Sequence, residues 1–205
     1  MMVKVCGMRD ADNIRAAEQL GVDMMGFIFW PRSSRHVSRQ PEYLPSHCKR
    51  VGVFVNEDID TVRQTARDYA LDYIQLHGQE SPEYVCQLLN SQLSGCKVIK
   101  AFNVSHACDF IKTEAYAALA DLFLFDTKGK SAGGNGEKFD WRILADYNGD
   151  TPFLLSGGIG PDDASLVKEI SHPKCLGVDL NSRFEVAAGI KDINKLQSFI
   201  KRLRQ

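Results

Sequence analysis

Residues 153–180 read Phe153-Leu154-Leu155-Ser156-Gly157-Gly158-Ile159-Gly160-Pro161-Asp162-Asp163-Ala164-Ser165-Leu166-Val167-Lys168-Glu169-Ile170-Ser171-His172-Pro173-Lys174-Cys175-Leu176-Gly177-Val178-Asp179-Leu180. A short apolar run stops at a glycine pair, and a second run closes the stretch. Between them Leu166, Val167 and Ile170 share a face at helical period, after a helix start at Gly160-Pro161-Asp162. Two strands joined through a helix are parallel. Strands buried on both faces read, as these do, as continuous apolar runs.

The unit repeats in both directions from this stretch. Earlier strand candidates are Val3-Lys4-Val5-Cys6, Met24-Met25-Gly26-Phe27-Ile28-Phe29, Arg50-Val51-Gly52-Val53-Phe54-Val55, Tyr73-Ile74-Gln75-Leu76, Lys97-Val98-Ile99-Lys100-Ala101-Phe102 and Leu122-Phe123-Leu124-Phe125. Ile14, Ala17 and Leu20 form one helical stripe; Ile193, Leu196, Phe199, Ile200 and Leu203 form another. Ser81-Pro82-Glu83 and Lys191-Asp192 are further helix starts. Residues 41–48 hold two prolines and leave room for little more than a turn or two. Eight units in 205 residues average about 26 each, at the compact end of the (β/α)8 range. A doubly wound open sheet is the alternative. It would place G-x-G-x-x-G after the first strand, where Cys6-Gly7-Met8-Arg9-Asp10 stands. No Pro/Gly/Ser-rich linker divides the chain, so the expectation is an α/β fold, a single-domain (β/α)8 TIM barrel over residues 1–205.

Lys+Arg 25 against Asp+Glu 26 gives a net charge of -1, without the basic excess of proteins that bind nucleic acid or anionic membrane. No apolar run approaches the roughly 18 residues of a membrane helix, and Met1-Met2-Val3-Lys4 lacks signal-peptide regions; a cytoplasmic location is expected. The six cysteines are scattered without C-x-x-C or histidines in metal-ligand spacing, so neither a disulfide framework nor a metal site is expected.

A barrel builds its site at the carboxyl ends of its strands. Those ends carry Cys6, the loop of residues 30–39, Asn56, His77, Phe102-Asn103, Asp126, Ser156-Gly157-Gly158 and Asp179-Leu180-Asn181-Ser182. Cys6 is either a small buried hydrophobe or, as a thiolate beside a positive charge, a base or nucleophile. Asp126 emerges from an apolar wall; besides a capping role, partial desolvation favours the raised pKa of a general acid. Gly157-Gly158 and Asn181-Ser182 follow the seventh and eighth strands, the frequent phosphate position of barrels. Arg35 and Arg32 are either solvated loop charges or a fork for a carboxylate. Residues 129–136, Gly129-Lys130-Ser131-Ala132-Gly133-Gly134-Asn135-Gly136, read as a loop able to close over a ligand.

In order and spacing the chain resembles phosphoribosylanthranilate isomerases of tryptophan biosynthesis along essentially its whole length. The resemblance rests on Val3-Lys4-Val5-Cys6-Gly7-Met8, Gly26-Phe27-Ile28-Phe29 with Pro31-Arg32-Ser33-Ser34-Arg35, and Val51-Gly52-Val53-Phe54-Val55-Asn56. It continues through Ile74-Gln75-Leu76-His77-Gly78, Phe125-Asp126-Thr127, Leu155-Ser156-Gly157-Gly158-Ile159 and Gly177-Val178-Asp179-Leu180-Asn181-Ser182 with Gly189-Ile190-Lys191-Asp192. It implies an Amadori rearrangement of N-(5-phosphoribosyl)anthranilate to 1-(2-carboxyphenylamino)-1-deoxyribulose 5-phosphate. By that resemblance Asp126 is the general acid and Cys6 the general base. Arg35 holds the anthranilate carboxylate, Gly157, Gly158, Asn181 and Ser182 cradle the phosphate, and His77 and Asp179 are further contacts. No cofactor or metal is implied; the partner is the small phosphosugar-anthranilate substrate, with no nucleic acid and no membrane, in a monomer or homodimer. Arg183 and Ala188 stand where the family usually has glycine and proline.

The similar barrel isomerase of histidine biosynthesis uses an aspartate pair, against which Cys6 argues. A phosphometabolite-binding barrel without chemistry would have no need to retain both Cys6 and Asp126.

Overall fold

The computed structural model describes residues 1–91, 93, 95–127 and 141–205. Eight parallel strands, β1 (Met2–Cys6), β2 (Met24–Ile28), β3 (Lys49–Phe54), β4 (Tyr73–Leu76), β5 (Lys97–Val104), β6 (Leu122–Thr127), β7 (Phe153–Ser156) and β8 (Cys175–Leu180), pair in chain order, and β8 closes on β1. The open sheet is thereby excluded. Around the barrel lie α1 (Ala11–Gln19), α2 (Ile59–Asp68), α3 (Pro82–Asn90), α4 (Ala164–Lys168) and α5 (Ile193–Arg204). After β8 the chain forms a small hairpin, β9 (Glu185–Ala187) and β10 (Ile190–Lys191).

Local chemistry sets the helix starts. Asp10, Asp58, Ser81 and Asp192 each accept a hydrogen bond from the backbone N–H three residues on, a cap that contributes about 1 kcal/mol. The outer layer is less regular than the repeat predicts. Residues 41–48 form no helix at all, because Pro41 and Pro45 have no N–H to donate. Glu18 on α1 holds this segment instead, accepting from the Ser46 and His47 amides at 2.6 Å each and from the Tyr43 hydroxyl. After β5 and β6 the connectors contain 3-10 helix (Ala107–Tyr116 and Trp141–Asp146), and edge-to-face contacts of Phe110 and Tyr147 with Phe125 seat them on the barrel. Among the described residues no helix is long and apolar enough to cross a membrane.

The period of two along each strand divides the apolar runs between two cores. Val3, Val5, Phe27, Ile74, Phe123, Phe125, Phe153 and Val178 face the helices. Met24, Val51, Ile99, Leu122, Leu124 and Leu154 fill the barrel. One layer nearer the carboxyl ends, Cys6, Ile28 and Val53 form a third small cluster. Asp126 shares its strand face with Leu122 and Leu124, and Cys6 shares its face with Lys4. The filled interior is therefore the floor on which the polar residues stand.

Candidate active site

A cleft of about 730 Å³ opens at the carboxyl ends of the strands, within the size range of small-ligand sites. Cys6, His77, Asp126, Gly157, Gly158, Asp179, Asn181 and Ser182 all line it. These residues come from β1, β4, β6, β7 and β8 or the turns that follow them, so barrel closure brings together what the sequence spreads over the chain. Ile28, Trp30, Val53 and Val55 make one wall apolar.

Cys6 is 4% exposed, and two charged residues lie beneath and beside it. Lys4, fully buried, donates to Asp179 Oδ1 at 2.8 Å across the β1–β8 register, and Asp179 Oδ2 accepts from Ser156 Oγ at 3.2 Å. Burial pulls the Lys4 ammonium down, but the charges and hydrogen bonds of Asp179 and Cys6 leave it above its ordinary value. Burial pushes the Cys6 thiol up; Lys4 and Lys191 oppose that rise and the Asp179 charge adds to it, with a net increase. Gly26 on β2 makes room for the sulfur, since a Cβ there would sit 2.7 Å from Cys6 Sγ.

Asp126 stands across the site in register between Asn103 and Ser156. Its Oδ2 lies 3.5 Å from His77 Nε2, and His77 Nδ1 is 2.8 Å from Gln75 Nε2. With Gln75 Nε2 donating, Nδ1 accepts and the ring hydrogen is assigned to Nε2, facing the carboxylate.

The turn after β7 carries two consecutive positive φ angles, +94° at Gly157 and +68° at Gly158. Side chains rarely adopt this backbone, and nothing lies within 4 Å of where a Gly158 Cβ would stand, so an anion can approach the main chain. Exposed Arg183 lines the cleft beside Asn181 and Ser182.

Arg35 does not line the cleft. Its Nε donates to Glu185 Oε1 at 2.8 Å and its Nη2 to Oε2 at 2.6 Å, a bidentate pair. Glu185 also accepts from Lys191 Nζ at 2.7 Å, and Lys191 reaches Asn181 Oδ1 at 2.8 Å. The β9–β10 hairpin that carries this cluster is tied to α1 because the Asn13 amide pairs with both the N–H and C=O of Lys191. Burial alone would raise the Glu185 carboxyl; hydrogen bonds from Arg35 and Lys191 and the Lys191 charge hold it at about 2 instead. Lys191 shares its single carboxylate with Arg35, and for it burial outweighs the pairing and pushes the ammonium down.

A carboxyl depressed from 4.5 to about 2 contributes about 3 kcal/mol of stability above its unfolded pKa, lost as pH falls towards the folded value. Glu185→Gln should therefore be less stable than the parent at pH 7 by about that amount in urea unfolding. The gap should narrow from pH 4.5 downwards; a gap constant with pH would show that the ionised carboxylate is not its source.

Sequence reasoning passed over Lys4, Gly26, Gln75, Glu185 and Lys191. A usable signal existed for Lys4 and Gln75, each a polar residue inside an apolar run two positions before a residue already singled out. No local signal marked Glu185, whose partner Arg35 is 150 residues away. The loop of residues 129–136 lies outside the described residues.

Comparison with known proteins gives a consistent result. A family model described as "PRAI: N-(5'phosphoribosyl)anthranilate (PRA) isomerase" matches residues 3–202. The N-(5'-phosphoribosyl)anthranilate isomerase of Phocaeicola vulgatus is 48% identical over 205 residues, covering 100% of this chain and 98% of that protein. That of Parabacteroides distasonis is also 48% identical, over 211 residues, covering 99% and 93%. Among solved structures, phosphoribosyl anthranilate isomerase in complex with reduced 1-(o-carboxyphenylamino)-1-deoxyribulose 5-phosphate superposes with a TM-score of 0.82 at 29% identity, covering 100% of this chain and 98% of that one.

Proposed function

The chain belongs to the N-(5'-phosphoribosyl)anthranilate isomerase family, and from that premise we propose how its residues divide the work of the isomerisation. The enzyme converts N-(5-phosphoribosyl)anthranilate to 1-(2-carboxyphenylamino)-1-deoxyribulose 5-phosphate in tryptophan biosynthesis. The observation that carries the assignment is that Cys6 and Asp126, from strands β1 and β6, line the same cleft as the two turns suited to a phosphate.

Asp126 gives a proton to the furanose ring oxygen, the C1–O bond breaks, and the anilinic nitrogen becomes an iminium. Cys6 then removes the C2 proton, whose acidity the iminium has raised, and an enolamine forms. Ketonisation adds a proton at C1 and releases one from the C2 hydroxyl, so the enzyme ends in its starting protonation state. The iminium is also a cation brought towards Cys6, which offsets the burial that otherwise keeps the thiol protonated. His77 orients the Asp126 carboxyl. The phosphate lies on Gly157, Gly158, Asn181 and Ser182, with Arg183 adding a side-chain charge, and the anthranilate ring packs on the apolar wall at Trp30. Residues 1–205 work as one cytoplasmic catalytic domain.

Arg35 remains the group assigned to the anthranilate carboxylate. Glu185 fixes two of its nitrogens, and Nη1, without a partner among the described residues, is the one offered to substrate. Arg35→Ala should raise KM about tenfold, the loss of one charge-assisted contact, and change kcat little. An unchanged KM removes the role.

The assignment as a whole is tested by adding purified protein to N-(5-phosphoribosyl)anthranilate and following loss of substrate fluorescence. Decay proportional to enzyme concentration is expected. No decay, with turnover of the histidine-pathway aminoaldose instead, would overturn it.

A further inference from the structure

The mechanism above leaves a buried ion pair in the barrel floor, Lys4 with Asp179, without a task. Lys4 is fully buried, and a lysine whose job is merely to fill space costs more than a leucine of similar size, because its ammonium must be compensated. Its neighbours are a carboxylate and a thiol. Period two places Lys4 and Cys6 on one face of β1, and the closing register sets Lys4 opposite Asp179. Asp179 is held in turn by Ser156 Oγ at 3.2 Å.

We infer that Lys4 is a positioning residue for Cys6: its ammonium, anchored by Asp179 beneath the cleft, favours the thiolate that accepts the C2 proton. The inference rests on the reading of Cys6 as the base. Other groups act on the sulfur as well. Lys191 on β10 also favours the thiolate, Asp179 on β8 disfavours it, and the charge of Arg35 from the loop after β2 interacts with it; β2 itself presents no charge, only Gly26 and Ile28. Lys4 is the cation that most opposes burial at this thiol, and it stands on the same face of β1 two residues away. Asp179 therefore has two opposed effects, keeping Lys4 charged and in place while repelling a thiolate. Restoration by Lys4→Arg, which keeps the charge, separates an effect of that charge from general loosening of the floor.

The test is the pH dependence of Cys6 alkylation by iodoacetamide in the folded protein, read by mass on the tryptic fragment ending at Arg9 (5–9, or 1–9 where residue 4 is not basic), which separates Cys6 from the other five cysteines. In Lys4→Met the rate at pH 8 should fall about tenfold or more and the midpoint should move to higher pH, the effect of removing one close opposite charge. Lys4→Arg should restore most of the rate. The alkaline limb of kcat/KM should follow the same shifts. A Lys4→Met midpoint equal to the parent's, or a Lys4→Arg midpoint as high as that of Lys4→Met, overturns the inference. Should Lys4→Met not fold, Lys4→Gln is read by the same midpoint. Wild-type turnover by Cys6→Ser would remove the premise itself, a result separable from the alkylation data because alkylation needs no turnover.

Discussion

Asp126→Asn should lower kcat by about 10²-fold or more with KM nearly unchanged, the loss expected when a general acid is removed. Asparagine keeps the size of the side chain and can still face His77 Nε2, 3.5 Å from the present carboxylate oxygen. It has no proton to give to the ring oxygen. Ring opening then becomes the slow step, so substrate deuterated at C2 should react at nearly the same rate as protonated substrate in this variant. A kcat within a few-fold of the parent would take Asp126 out of the mechanism.

Cys6→Ser should cost a comparable factor, about 10²-fold or more in kcat, by a different route. A hydroxyl fits where the thiol stood, in the space left by Gly26, yet it ionises far less readily and makes a poor base. Removal of the C2 proton should now limit turnover, and C2 deuteration should slow the reaction several-fold. The two variants thus differ in isotope effect even where their rates coincide. Because burial raises the thiol above its ordinary value, kcat/KM of the parent enzyme should still be climbing on the alkaline side of neutrality. In Cys6→Ser that limb should vanish; an unaltered profile would show that another group titrates.

The strands were legible almost to the residue. Tyr73–Leu76 and Phe153–Ser156 have the expected bounds; five others differ by one or two residues at one end, and β3 is displaced by one residue at both. The helices were less so, because a connector's form depends on what it packs against. Phe110 and Tyr147 seat 3-10 segments where a regular repeat would have α-helix, and Glu18 holds a proline-bearing stretch with no helix at all. Cys6 and Asp126 were visible because each ends an apolar run, and a strand end in a barrel is a place in the site. Lys4 and Gln75 were overlooked because runs buried on both faces show no alternation of polarity, which hides which residues face inwards.

By itself the amino-acid sequence determined the number of barrel strands, their parallel direction, the places where they stop and so the two residues, at two of those stops, that are proposed as acid and base. These follow from local forces, namely apolar burial over a few residues, capping at helix starts and the missing amides of proline. Only the tertiary structure decided which side chains meet. Lys4 reaches Asp179 across 175 residues and Arg35 reaches Glu185 across 150, contacts set by the register in which β8 closes on β1 and by the hairpin that follows. That register minimises the free energy of the whole ring of strands at once, and no local stretch of sequence records it.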